Sequence, residues 1–167
     1  MRLTRLRDGH APALLAFERE NRAYFARSVP DRGDDYFTGF EARHAALLAE
    51  QEAGLCHFHL LVDERGAVLG RVNLVDVTDA TADLGYRIAE RATGRGPAVA
   101  AVREIRTRAA TDHGFETLTA ATTADNPASR AVPTRNGFVP VGDTDLDGRP
   151  GTRYQVRPGQ WIGCSHA

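Results

Sequence analysis

The pattern of this chain predicts an α+β domain. Its centre is a twisted, mostly antiparallel sheet of about seven strands, flanked by about four helices. Three observations predict it. Short apolar, β-branched runs separated by tight turns between residues 56 and 90 read as an antiparallel meander. The strand–helix–strand passage over 82–122 puts one parallel pair into that sheet, because parallel neighbours need a crossover. Two amphipathic helical patterns precede the meander.

The elements follow in order. Residues 1–7 alternate as a short strand. Residues 10–27 carry Leu14, Leu15, Phe17, Ala23 and Phe25 with charges between them and read as a helix. After the loop 28–33, Asp34 or Asp35 caps a second helix to about Glu52, and Gly54 ends it. Strands follow at 56–62, 67–77, with Gly70 as the candidate bulge, and 82–90. The clearest helix is 97–113, with Val99, Val102, Ile105 and Ala109 as its stripe and Gly114 as its stop. A strand at 115–122, a short helix at 126–136 ended by Gly137, and strands at 138–141 and 153–156 complete the order. The stretch 143–151 between the last two strands reads as turn-rich.

Composition narrows the function. The 167 residues read as one domain spanning 1–167, and 42% hydrophobic with 26% charged residues suffices for a core. Mean hydropathy is -0.37, and no apolar run approaches the ~18 residues of a membrane span. The basic start never becomes an apolar leader, and two cysteines, Cys56 and Cys164, fit a reducing cytoplasm better than a disulfide framework. A net charge of -1 argues against nucleic acid as a partner. All 21 basic residues are arginine. Anions must therefore be met by guanidinium or backbone N–H, and lysine chemistry is excluded.

The most informative stretch runs from Arg91 to Ala98, between a strand and the best helix. Gly94 and Gly96 let the backbone turn sharply and approach a ligand. The open N–H groups and positive dipole end of the helix suit phosphate. The loop lacks the Gly-Lys-Ser/Thr ending of a nucleotide-binding P-loop and the full dinucleotide fingerprint. About thirty residues on, Asn126 caps a helix with Pro127 at its first position, followed by Ser129, Arg130 and Arg135. Cys56, His57 and His59 have a spacing that can ligate zinc, but no third and fourth ligands follow, so they read as strand residues and no metal is expected. Asp31, Asp34 and Asp35 read as a solvated loop; as an acidic rim they would attract a cationic amine.

Taken together, Arg-x-x-Gly-x-Gly at a strand–helix junction, a strand, then Asn-x-x-Ser and Gly-Phe resemble the GCN5-related N-acetyltransferase (GNAT) superfamily. AVLGRVNL and ADLGYRIAE before the loop and ENRAYF in the first helix are most similar to the branch that acetylates ribosomal-protein N-termini. The resemblance implies a transferase using acetyl-CoA, with the parallel pair splayed to admit the pantetheine arm. It implies direct attack by a primary amine, either a small molecule or a protein N-terminus. No nucleophile elbow or catalytic cysteine setting is present, which agrees. Carried over, Arg91, Gly94, Arg95, Gly96, Ala98, Asn126 and Arg130 would hold CoA, and Arg135 can also meet its phosphates. Asp83 would act as base, through water, and Ser129 would donate to the CoA sulfur. Asn21, Tyr24 and Tyr86 would line the acceptor site, with Glu20 and Phe25 as further groove candidates. Two departures stand out. Pro97 removes one phosphate donor, and Pro133 interrupts the 126–136 helix and excludes a tyrosine acid there. They give weight to an alternative, a non-catalytic acyl-CoA-binding domain of the same fold. The chain is expected to be a monomer or homodimer.

Overall fold

A computed structural model describes residues 1–159. Cys164 and Trp161 lie outside the described residues. The elements run β1 (Arg2–Arg5), a 3-10 turn (Asp8–His10), α1 (Ala11–Glu20), α2 (Arg22–Phe25), α3 (Asp34–Thr38) and α4 (Phe40–Glu52). There follow β2 (His57–Val62), β3 (Val68–Thr78), β4 (Thr81–Ile88), a 3-10 turn (Glu90–Ala92) and α5 (Pro97–Thr111). The chain then makes β5 (Thr117–Thr123), α6 (Pro127–Arg135), β6 (Val139–Leu146) and β7 (Arg149–Val156). The seven strands form one sheet in the order β1-β2-β3-β4-β5-β7-β6. Only β4 and β5 run parallel. The α+β class, the meander and the single parallel pair are as expected.

The two expected N-terminal helices are each divided. The first breaks at Asn21, whose side-chain amide donates to the Phe17 carbonyl and competes with the helical ladder. The second breaks at Gly39, where glycine is weakest as a helix former. The cap of α3 is Gly33, with Asp34 and Asp35 in the first turn rather than at the cap.

The expected bulge at Gly70 lies beside it. The register shifts between Leu61 and Val62 against Gly70 and Val68, so Leu69 is the extra residue. Gly70 itself lets β3 and β4 close up, because a Cβ there would stand 2.7 Å from the Arg87 carbonyl. A second irregularity in β3, between Val75 and Thr78, contains Asp76 at φ 48°.

The last two strands are longer than expected and pair through 143–151. Leu146 and Arg149 are register partners, so only Asp147 and Gly148 turn, both at positive φ. That is the Asp-Gly hairpin geometry. The density of Asp, Gly and Pro over 143–151, which reads as turn-rich, hides it.

Alternation along the sheet sorts two faces. Val72, Leu74, Ala82, Leu84, Leu118 and Ala120 are buried on the face shared with α5. Arg71, Asn73, Asp83, Gly85 and Arg87 lie on the face of α1, where Arg71 meets the buried Glu18 at 2.6 Å. His57 and His59 share the α5 face, and His57 stacks on His113 with ring centroids 3.7 Å apart. Among the described residues, no group of three potential ligands can hold a metal.

Burial pushes His57 down to about 4 and His59 to about 3, with Arg5 and His113 adding repulsion to both and Arg108 to His59. A folded-state value below the unfolded 6.5 means that the unfolded chain takes up these protons first. The melting temperature is therefore expected to fall as pH drops below about 6.5, steepening toward 4. A His59→Gln variant should flatten the fall, as read by thermal unfolding across that range; an unchanged slope would remove His59 as its source.

Candidate active site

The site begins where the parallel ladder stops. β4 and β5 pair only at Thr81–Thr117, Ala82–Leu118 and Asp83–Thr119. Beyond Asp83 the two strands part, while β5 stays paired with β7 through Thr123. The facing edge of β4 from Leu84 to Ile88 has no strand partner among the described residues. Unpaired backbone donors and acceptors on such an edge are costly unless something else meets them. The gap opens at the carboxyl end of the parallel pair, where ligands bind in open sheets of this kind.

Two helices start at that end. α5 follows β4 through Gly94 (φ 80°) and Gly96 (φ 82°), and an added Cβ at either would meet nothing within 4 Å. Among the described residues no side chain caps α5. Its first-turn amides, beginning at Ala98 because Pro97 has none, are left for an anion. Pro97 sits at the first helical position, where its ring fits. Arg95 is exposed at the same loop. Arg91, also exposed, donates to the Val68 carbonyl at 3.3 Å, tying the loop to β3.

α6 follows β5, and Asn126 caps it by accepting the Ser129 N–H at 3.1 Å. Pro133 does not shorten the helix, which continues to Arg135. The Ser129 carbonyl, denied its helical partner by the proline, accepts the Tyr86 hydroxyl at 3.0 Å. This bond crosses the gap from β4 to α6. Burial pushes the Tyr86 hydroxyl up to about 12, so it remains a donor. Ser129 is thus pinned through both backbone groups, while its hydroxyl makes no hydrogen bond to a described residue. Asn136 closes the helix by donating to the Val132 carbonyl at 2.9 Å, and Arg106 holds the Asn136 carbonyl at 2.6 Å. Arg130 leans to the Ala124 carbonyl at 3.4 Å, and Arg135 is exposed.

On the α1 face, Asp83 is half-buried at the last rung of the ladder. Burial raises its carboxyl above the ordinary value, Arg153 at 4.0 Å opposes this, and Asp76 adds to it. Gly85, two residues on, leaves open space where a Cβ would stand. Its register partner is Asn73, whose Oδ1 is buried without a hydrogen-bond partner among the described residues. Sequence reading passed over Asn73. The signal was a carboxamide inside an apolar strand, on the same face as Arg71.

Two expectations change. Asn21 does not face an acceptor: it is buried, and its Oδ1 accepts the Glu90 N–H at 2.9 Å, locking the α1–α2 elbow to the end of β4. Tyr86 faces α6 rather than the α1 side. Asp31, Asp34 and Asp35 are exposed, as a solvated loop would have them, and Arg22 pairs with Asp31 at 2.7 Å and Asp34 at 2.8 Å. Tyr24 is half-buried beside Phe25, which belongs to the core, and Glu20 is exposed. The other wall is the β6–β7 hairpin. Arg149, at the turn end of the hairpin, donates to the Ser28 carbonyl at 2.8 Å and pairs with Asp125 at 2.6 Å. Apart from the Asp-Gly turn, no local pattern signals this bridge.

The sequence pattern of the acetyltransferase (GNAT) domain matches residues 1–139. The chain belongs to the GNAT acetyltransferase family. It is an acyltransferase that uses acetyl-CoA as cosubstrate to acetylate an amine. Among solved structures it is similar to the ribosomal-protein-S5-alanine acetyltransferase of Vibrio fischeri, at 19% identity and TM-score 0.89, covering 95% of this chain and 93% of that one. It is also similar to Mycobacterium smegmatis RimJ in complex with CoA-disulfide, at 23% identity and TM-score 0.82, covering 93% and 80%. A spermidine N-acetyltransferase SpeG chimera from Vibrio cholerae and hSSAT aligns at 17% identity and TM-score 0.75, covering 94% and 95%. No curated protein matches.

The Gly94–Ala98 loop generates a test of where the phosphates bind. Gly96→Val forces a β-branched residue into positive φ, at about 1–2 kcal/mol, and places its side chain in the open cradle. Apo melting should fall modestly, while the rise produced by millimolar CoA is lost. A preserved CoA-induced rise would place the phosphates elsewhere.

Proposed function

We propose that this enzyme acetylates the primary amine of a protein or peptide N-terminus, by direct attack within a ternary complex of acceptor and acetyl-CoA. The observation that carries the reading is the parted β4–β5 pair, with a pinned Ser129 on one side and Asp83 and Gly85 on the other. The resemblance to acetyltransferases named for ribosomal-protein N-termini supports an N-terminal acceptor. One neighbour is named for spermidine, which keeps a small amine as the second reading. We further propose that residues 1–167 act as one domain in the cytoplasm. No helix among the described residues is long and apolar enough to cross a membrane.

Gly94, Gly96 and Ala98 offer backbone approach and amides to the CoA pyrophosphate, with Arg95, Arg130 and Arg135 near enough in sequence to pair with its phosphates. The open β4 edge receives the pantetheine amides as a neighbouring strand would. Asp83 takes the proton of the attacking amine, directly or through water. The Ser129 hydroxyl gives a hydrogen bond to the departing thiolate, whose basicity is near that of a free thiol at about 8.5. Tyr86 holds the Ser129 backbone in place and is a positioning residue.

Ser129→Ala should lower kcat by about 10²-fold with CoA affinity unchanged. Tyr86→Phe should give a smaller loss of the same kind. Wild-type turnover in Ser129→Ala, read by release of free CoA thiol, would end the assignment.

Asp83 adds a pH signature. Its carboxyl is raised, so the acidic limb of kcat/KM should lie above the ordinary carboxylate value of about 3.9. Asp83→Asn should erase that limb and lower the plateau. Because ionisation is penalised in the fold, the same variant should melt at or above wild type at neutral pH, and the difference should vanish once the carboxyl is protonated in both states. A pH–rate profile that keeps its acidic limb in Asp83→Asn would leave water alone as the base.

A further inference from the structure

The α1 face of the site ends in a pocket lined by Glu18, Arg22, Phe25, Asp31, Arg32 and Arg87, among others. Its charges do not balance. Glu18, only 2% exposed, gives its close contact to Arg71 at 2.6 Å. Arg22 is committed to Asp31 and Asp34. Arg87 stands 3.8 Å from Glu18, outside hydrogen-bond range, and lies over the Phe25 ring. Its guanidinium donates no hydrogen bond to a described residue, although its side chain is 24% exposed. Burial, reinforced by repulsion from Arg32 and Arg71, pulls its proton affinity down against the attraction of Glu18. Arg32 stacks on Tyr36 and, unlike Arg87 with its long contact to Glu18, forms no ion pair among the described residues. Five N–H donors on a half-buried arginine are expensive to leave unmet.

We infer that Arg87, with Arg32, receives a carboxylate carried by the acceptor itself. The inference rests on the acetyl-transfer reading of the same site and names the class of acceptor. Arg87 lies two residues from Gly85 on the same face of β4, about 6.5 Å along the strand. An amine presented over Gly85, within reach of Asp83 and the unmet Asn73 oxygen, therefore places its anionic group about one residue away. A peptide amine with an acidic second residue has that spacing. A polyamine brings a cation to the arginines and is disfavoured.

The test compares Ser-Asp-Gly amide, Ser-Asn-Gly amide and spermidine as acceptors. The aspartyl peptide should show a kcat/KM about tenfold above the asparaginyl one, carried by KM. Spermidine should be the poorest. Arg87→Gln should erase the difference between the peptides, and Arg87→Lys should restore part of it, with melting temperatures verifying that both variants fold. Equal use of the two peptides by wild type, or a preference that survives Arg87→Gln, would overturn the subsite. If CoA binds and neither peptide is acetylated, titration of both peptides into the CoA-loaded protein decides separately. Tighter binding of the aspartyl peptide, lost in Arg87→Gln, keeps the subsite and rejects peptide acetylation; equal binding rejects the subsite.

Discussion

Everything in this molecule's site hangs on the point where β4 and β5 stop pairing. After the Asp83–Thr119 rung, two adjacent parallel strands part inside an otherwise continuous sheet. An interior edge of unmet backbone groups is a cost that a sheet normally avoids by closing. Here each strand is held by its other neighbour. β4 is paired with β3 as far as Ile88, and β5 with β7 as far as Thr123. Neither can swing across to satisfy the other. The irregularity in β3 at Asp76 lies beside the last shared rung, and bulges of this kind increase local twist. The opening is thus a property of the sheet, and the loops at its mouth line it.

The gap is spanned by a bond that exists because of a proline. Pro133 has no N–H to offer the Ser129 carbonyl, and the Tyr86 hydroxyl supplies a donor from the opposite strand. What reads in sequence as damage to a helix becomes in three dimensions a tie between the two walls of the cleft. Asn136, Arg106 and Asn126 fix the rest of α6. The helix therefore presents Ser129 from a rigid frame, which is what a group acting on a developing charge requires.

The α1 face follows a different logic, that of an excess of arginine. With no lysine in the chain, every cation is a guanidinium. Asp31 and Asp34 are consumed by Arg22 and Glu18 by Arg71. Arg87 is left with a 3.8 Å contact to Glu18 and Arg32 with no ion pair among the described residues. Pairing of this kind is not visible in composition.

The sequence alone determined the elements whose periodicity is strong and local. The meander, the helix from Pro97, the cap at Asn126, and the parallel crossover were legible because strand alternation, helical spacing and glycine punctuation act over a few residues. The glycine turn at Gly94 and Gly96 was legible for the same reason, whereas Asp83 and Ser129 stood out only beside the family resemblance. Tertiary structure decided what depends on partners far along the chain. Asn21 became a buried joint because Glu90 reaches it from 69 positions away. Tyr86 turned toward α6 because Ser129 had a carbonyl to spare. Arg149 bridged two walls because the Asp147–Gly148 turn extended β6 and β7 beyond what their polar residues suggested. A side chain's alternation gives its face of the sheet. Which charge or carbonyl meets it there is set only when distant segments pack.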